Sequence, residues 1–409
     1  MQKVAAFRAG LLLVAAAVVS AACSNNSPGP GTTAIGMAIG VAVDSSSNVC
    51  ISGLTGTQTG NTSSAVPSYW KNGTLTTMYA VPSTYFWVNW DAVDASGDVF
   101  VAGATGSSSN APTPAYWENG TLLNLPLGIN NTYGLAYNAA VDGFGNVYLI
   151  GKVGTSSSAV VPCYWENGAV YTLSFGSTSY TYGYAIGVAF DGSGNAYIAG
   201  RIGSSSTALV PCYWVVPASP SSGTLYLLNM NGSNTYGVAR NIALAGTTIY
   251  ISGLEGSSSS SVSLCYWNGP TSGVTSPPTD LPVGTGNTDW TLYWAGLDAS
   301  GDFYIVGDVG ASSSNITPSY WEITSSSASP GPTSLSTGGY TGGEASGIAF
   351  DSSSNVYMVG TVGSLVPCYW KNGVLDALTT GSSRSVLSMR SIVANQRDPT
   401  LCDSGHQGP

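Results

Sequence analysis

Gly-Val-Ala-Phe-Asp-Gly-Ser-Gly-Asn-Ala-Tyr-Ile-Ala-Gly, residues 187–200, is the stretch that decides the fold. Val188-Ala189-Phe190 is a short apolar run suited to an extended chain. Asp191–Asn195 then turns it back, because Asp bonds the backbone ahead of it and Gly accepts positive φ. Tyr197-Ile198 continues as a second strand, rich in aromatic and β-branched residues. A Ser-rich stretch follows, and Pro211-Cys212-Tyr213-Trp214 begins a third strand.

The same unit recurs along the chain. Tyr-Trp appears at Tyr69-Trp70, Tyr116-Trp117, Tyr164-Trp165, Tyr213-Trp214, Tyr266-Trp267, Tyr320-Trp321 and Tyr369-Trp370, with successive tryptophans 47 to 54 residues apart. Turns close to Asp-x-Ser-Gly-Asn stand at Asp44–Asn48, Asp94–Asp98, Asp142–Asn146, Asp298–Asp302 and Asp351–Asn355. Asn-Gly supplies a hairpin after Tyr-Trp at Asn72-Gly73, Asn119-Gly120, Asn167-Gly168 and Asn372-Gly373, and a fourth short strand follows. Seven units of four antiparallel strands predict an all-β chain, a seven-bladed β-propeller of four-stranded antiparallel blades. Two features favour a ring. The residue two before the turn is always small (Ala42, Ala92, Ala140, Ala189, Ala243, Gly296, Ala349), as crowding toward an axis requires. The repeated Trp supplies a flat wedge between blades. A linear β-solenoid is the alternative, disfavoured by the unit length and the Asn-Gly hairpins.

At the Gly-x-Ala-x-Asp-x-Ser-Gly-Asn-x-Tyr-x-x-Gly core the chain resembles the bacterial seven-bladed β-propeller repeat (SBBP-type) family. Its Tyr-Trp-x-Asn-Gly element resembles repeats of exported bacterial proteins, including spirochaete lipoproteins. The resemblance spans about Ala34 to Thr379 and implies architecture more than activity, since propellers host many functions. The fifth repeat departs from it, with Ala245-Gly246-Thr247-Thr248 in place of the Asp turn. Repeats four and six replace the Asn-Gly hairpin by Pro217–Gly223 and Ser325–Ser334.

Residues 1–22 read as a signal peptide. Lys3 and Arg8 precede an apolar stretch too short to span a bilayer comfortably, and Ser20-Ala21-Ala22 is a small-residue cleavage site. Cys23 follows at once, as in bacterial lipoprotein leaders, although Ser20 stands where those usually carry Leu. Residues 23–33 are then a lipidated Cys and polar linker, 34–381 the propeller, and 382–409 a divergent tail. The tail is either a closing strand or a degraded eighth repeat. Export, a lipid anchor in the outer membrane or at the cell surface, and a monomeric state are expected.

Charge is sparse, at 7% of residues, with Lys+Arg 10 and Asp+Glu 20. The repeats keep only Lys71, Lys152, Arg201, Arg240 and Lys371, too few for the basic field that nucleic-acid binding needs. Hydrophobic residues at 43% still suffice for a core. Cys163, Cys212, Cys265 and Cys368 occupy one position of four different repeats, too far apart to bond to each other, and are read as small buried residues.

No catalytic constellation emerges. The only histidine, His406, is in the tail, so the repeats hold no Ser-His-Asp or Cys-His set and no His-rich metal site. No cofactor is implied. Most Asp belong to turns; calcium binding there is weighed and set aside, since short hairpins explain them. The informative residues are those at which the repeats disagree. The stretch leading into strand one is mostly Tyr-Gly-x-Ala, but carries Trp87, Trp90 and Asp91 in repeat two, Arg240 in repeat five, Trp290 and Trp294 in repeat six, and Glu344 in repeat seven. After the second strand come Lys152, Arg201 and Asp308, with Glu255 one position further on. These residues are expected on one face of the ring, around the axial channel, where aromatics and a few charges suit a protein or carbohydrate ligand. Trp90 and Trp294 stand where the other repeats have Gly or Asn, so their removal is expected to be tolerated by the fold. The alternative is that the tryptophans fill the channel mouth. Three functions are carried forward: a non-catalytic binding module, an exported lyase or hydrolase, and a structural envelope component.

Overall fold

The computed structural model describes residues 32–59, 62–78, 85–324, 326–327, 330–363 and 365–380. The leader, Cys23 and the tail from residue 382 lie outside the described residues. The described residues form seven four-stranded antiparallel sheets, each built from four consecutive strands. The innermost strands are Thr32–Val43, Tyr85–Val93, Tyr133–Val141, Tyr182–Phe190, Tyr236–Ala245, Asp289–Leu297 and Gly343–Phe350. Each packs on the next in chain order, and the seventh packs on the first. The chain is a seven-bladed β-propeller, with the blades numbered here 1 to 7 in that order.

The turns form as their residues dictate. In blade 4, Asp191 Oδ1 accepts the backbone N–H groups of Ser193 and Asn195, and Asn195 donates its amide to Asp191 Oδ2. The Asn-Gly hairpin is stitched to this turn in blades 1, 2, 3 and 7. Asn167, at a φ of 48°, accepts from Val147 N at 3.1 Å and donates to Asn146 Oδ1 at 3.0 Å. Asn tolerates that left-handed backbone and its side chain bridges to the neighbouring turn. In blade 5, Gly246 (φ 58°) makes the turn without an Asp, within a two-residue hairpin between Ala245 and Thr248. Because strands alternate in direction, the Asp and Asn-Gly turns share the lower end of the ring. The Ser-rich hairpins and interblade connectors share the upper end.

The repeated tryptophans are all fully buried. Those of blades 3 to 7 donate their indole N–H to the connector that leaves the preceding blade: Trp165 to Pro126 O (2.7 Å), Trp214 to Ser174 O (2.7 Å), Trp267 to Asn229 O (2.6 Å), Trp321 to Pro282 O (2.8 Å) and Trp370 to Ser336 O (2.7 Å). The expected wedge is therefore also a polar latch. Trp70 of blade 1 bonds Thr379 O, beyond the last strand of blade 7, at 2.7 Å. The ring thus closes by the same latch that joins blades 2 to 7 in succession, supported by Gly36 N to Leu365 O and Ser346 Oγ to Ala38 O, both 2.7 Å. Blades 1 and 7 exchange no strand among the described residues.

Cys50, Cys163, Cys212, Cys265 and Cys368 are buried free thiols. Desolvation pushes the thiols up, that of Cys50 to about 12, so they are held as inert apolar groups.

Candidate functional site at the axial channel

One feature organises the channel and is invisible in the periodicity. Every innermost strand carries a β-bulge at the same place, where register slips between residues such as Ala185 and Gly187. Opposite it stands the last Gly of the quoted motif. A Cβ on Gly200 would overlap the carbonyl oxygen of Tyr184 and come within 2.9 Å of Trp214 Cζ3, so only Gly lets the bulge and the Trp coexist. The bulge divides the axial lining into an upper tier above it and a waist just below.

At the waist the seven blades present Gly40, Trp90, Asn138, Gly187, Asn241, Trp294 and Gly347. Trp90 and Trp294 stack on each other, with ring centroids 4.5 Å apart and an interplanar angle of 20°. They belong to blades 2 and 6, so they meet across blades 7 and 1. Trp90 is 8% exposed and donates to Ser346 O of blade 7 at 3.3 Å, while Trp294 packs on the apolar cluster of Ala345 and Ile348. Each indole packs on the other, which weighs against the expectation that both could be truncated at little cost.

The other half, on blades 3, 4 and 5, is polar. Asn138 and Asn241 are buried, and Asn241 donates to Ser252 Oγ and to Tyr293 O, both at 3.3 Å. Its Oδ1 is buried with no hydrogen-bond partner. On the same three blades lie Lys152, Arg201 and Arg240, at 2%, 0% and 3% exposure. Lys152 pairs in register with Leu135, Arg201 pairs with Tyr184, and Arg240 is the bulged residue of its strand. Lys152 Nζ sits 3.7 Å from the centroid of the Tyr184 ring, 5.4 Å from that of Tyr137 and 5.7 Å from that of Tyr133. Arg201 Cζ lies 4.5 Å from the same Tyr184 ring. One buried tyrosine therefore carries two cations, and its hydroxyl meets that of Tyr182. Cation–π attraction of this kind offsets part of the cost of burying the charges.

Acids occupy the neighbouring arc. Asp308, buried, pairs with Thr291 in blade 6, and Glu344, half-buried, pairs with Thr361 in blade 7. Asp289 of blade 6 is also buried. Trp87 and Trp290 are buried in the central apolar cluster with Tyr133, Tyr137, Tyr182, Tyr184 and Tyr236. Trp87 donates to Asn89 Oδ1 at 2.7 Å, and Asn89 donates to Ala136 O of blade 3 at 2.9 Å. Residues of blades 2 to 6 thus share one buried cluster.

Asp91 does not join them. It lies below the bulge, paired with Val101, and accepts from Ser52 Oγ of blade 1 at 3.0 Å. Desolvation lifts its carboxyl to about 7, so it belongs to the joint between blades 1 and 2. Glu255 is likewise a joint residue, accepting from Asn231 N in the connector at 2.8 Å. The tyrosines were missed as site residues because Tyr133, Tyr182 and Tyr236 repeat and read as framework. Tyr184 and Tyr137 do break the repeat, standing where other blades have Met37 or Val238 and Ile39 or Ile186. Among the described residues no group of three or more His, Cys, Asp or Glu could hold a metal ion.

No protein-family profile and no curated protein matches the chain. Solved structures do. A puromycin-hydrolyzing peptidase of Mycobacterium tuberculosis matches with a TM-score of 0.52 at 10% identity, over 86% of this chain and 53% of that one. A prolyl endopeptidase matches with a TM-score of 0.50 at 10% identity, over 84% and 49%. A polysaccharide lyase of the PL25 ulvan-lyase family matches with a TM-score of 0.48 at 12% identity, over 70% and 81%. The chain thus spans about half the length of the two peptidases. Identities this low show the propeller fold and nothing further.

Proposed function

We propose that the chain is a non-catalytic binding module of the cell envelope, a monomeric lipoprotein of the SBBP-type repeat family that takes a protein or glycan ligand at the upper end of its channel. Export and the anchor at Cys23 rest on the leader. The binding role rests on one observation, a comparison internal to the chain. At the position after the second-strand Gly, blades 1, 2 and 5 carry Leu54, Ala104 and Leu254, whereas blades 3, 4 and 6 carry Lys152, Arg201 and Asp308. The fold accepts apolar residues there, and burying charge instead disfavours stability. In a body with so few charges, their concentration on this tier fits selection for a ligand. Glycan-array and pull-down screens with the soluble propeller test the reading. Specific capture that is lost in a Tyr85→Ala variant, changed at the first residue of the innermost strand of blade 2, supports it, and absence of any capture counts against it.

A lyase is the second reading, favoured by the contact of the Tyr182 and Tyr184 hydroxyls beside Lys152 and Arg201. Elimination next to a carboxylate needs a base and a charge to hold the developing anion, and phenols beside cations are of that type. Appearance of unsaturated product on incubation with acidic polysaccharides would favour it over the binding module.

A further inference from the structure

Resting on the anchor at Cys23, we propose that the upper end of the ring is an interaction surface for lipid headgroups, laid against an anionic bilayer while the acidic lower end points away. The chain enters the ring at the upper end: Thr32, the first residue of the blade 1 inner strand, pairs in register with Thr59 beside the hairpin to the third strand. Eight residues, 24–31, separate it from Cys23, a reach of at most about 30 Å. The strand itself is 12 residues long and covers about 40 Å before the lower turn at Asp44. A linker of that length sets the upper end against the bilayer and falls short of presenting the lower one.

Charge is divided the same way. At the upper end lie the hairpins between second and third strands and the connectors between blades, and no Lys, Arg, Asp or Glu occurs in any of them. The charged residues of the tier beneath are buried, apart from the half-buried Glu344. At the lower end eleven acids stand against two lysines: eight Asp in the turns, Glu118, Glu166 and Glu322 beside the outer hairpins, and Lys71 and Lys371. An anionic surface repels acids within a Debye length, about 10 Å at about 0.1 M salt, and the length of the inner strand, about 40 Å, holds the lower end clear of it. Exposed apolar side chains stand at both ends, Ile129 and Tyr340 above and Phe144 and Val374 below, so charge rather than insertion separates the two. What the upper end offers is hydroxyl groups. The hairpin tips of blades 3 to 6 carry them in pairs, as at Ser156 with Ser158 and Ser312 with Ser314, each 3.1 Å apart. Neutral hydroxyls exchange water for phosphate and glycerol oxygens without stripping a charge of its hydration. The upper end of the channel then opens toward the bilayer, so a ligand taken there comes from the membrane side.

The experiment places a fluorophore on the full chain, purified from membranes and reconstituted into vesicles of phosphatidylethanolamine and phosphatidylglycerol that carry a contact-range quencher on the lipid headgroup. Cys402 is first replaced by Ser, and the five buried thiols stay unlabelled in the folded protein. Ser157→Cys and Ser313→Cys mark exposed upper tips of blades 3 and 6, while Ser193→Cys and Ser353→Cys mark exposed lower turns of blades 4 and 7. Both upper labels are expected to lose most of their emission and both lower labels to keep theirs. Ser108→Glu, Ser206→Glu and Ser260→Glu together put charge on the upper tips. This triple variant should restore much of the upper emission on these vesicles and not on phosphatidylcholine ones. Salt at about 1 M, where the Debye length is about 3 Å, should cancel the restoration. Equal quenching at both ends, or stronger quenching below, in a chain that stays on the vesicles overturns the orientation and leaves the anchor standing. No effect of the triple variant overturns the electrostatic choice of end. Upper labels shielded from aqueous iodide in the membrane-free Cys23→Ala protein assign the face to a second copy and overturn the headgroup contact. A chain that leaves the vesicles whether or not Cys23 is intact overturns the anchor and this orientation together.

Discussion

Replacing Trp294 by alanine should loosen the ring at the seam between blades 7 and 1. Trp294 and Trp90 sit on blades 6 and 2 and stack across that seam at 4.5 Å. Gly40 and Gly347 hold the corresponding positions of blades 1 and 7. The backbones crowd there: a Cβ on Gly40 would lie 2.9 Å from Trp90 Cα, and one on Gly347 3.4 Å from Gly40 Cα. With no strand exchanged between blades 1 and 7 among the described residues, the stack adds a clasp over a joint held there by packing and a few hydrogen bonds. Truncating a buried Trp costs about 3–5 kcal/mol, and the half-buried Trp294 belongs near the lower figure, about 3 kcal/mol. Of that, about 1 kcal/mol is the stacking itself, which Trp90→Ala removes equally. At roughly 1–2 °C per kcal/mol for a chain of this length, Trp294→Ala should melt about 4 °C early. Trp165→Ala, fully buried and latched to Pro126 O, should fall further. Denaturant unfolding of the two single variants and the double variant isolates the coupling, expected at about 1 kcal/mol. Additive single effects, within about 0.3 kcal/mol, would refute the clasp, as would a Trp294→Ala protein that melts with the wild type.

Asp91 gives the fold a pH dependence. Its carboxyl titrates near 7 when folded against an ordinary 3.8, so the folded state holds the proton more tightly than the unfolded chain. Its contribution is then most favourable below the ordinary value and is lost as pH rises through about 7. Asp91→Asn should flatten stability measured across that window, and an unchanged slope would argue against burial as the cause. Cys23→Ala should release the exported protein from membranes; retention with normal export would remove the lipid anchor. The buried cysteines should label with a thiol reagent only after denaturation, without prior reduction, and a Cys163–Cys212 or Cys265–Cys368 disulfide in the mass spectrum would contradict both the spacing and the ring.

The repeat made the architecture legible because each signal was local. Asp191–Asn195 turns on its own hydrogen bonds, Asn167-Gly168 on its own backbone preference, and the Tyr-Trp spacing counts blades without knowledge of where they pack. The charged candidates were legible for a related reason: in a chain built from seven copies, a residue that breaks the pattern carries information, and Lys152, Arg201 and Asp308 break it at one register.

What the sequence by itself determined, then, is a ring of seven four-stranded blades with unequal residues near its axis. Three matters were decided only in three dimensions. The bulge in each inner strand depends on backbone crowding across strands, which leaves no mark except a Gly that also reads as a turn residue. The role of Trp90 and Trp294 depends on the axis bringing blades 2 and 6 within stacking distance, although their residues lie far apart along the chain. The separation of Asp91 from Lys152 and Arg201 depends on which side of the bulge each falls, and one slipped residue moves a side chain from the channel mouth into a joint between blades.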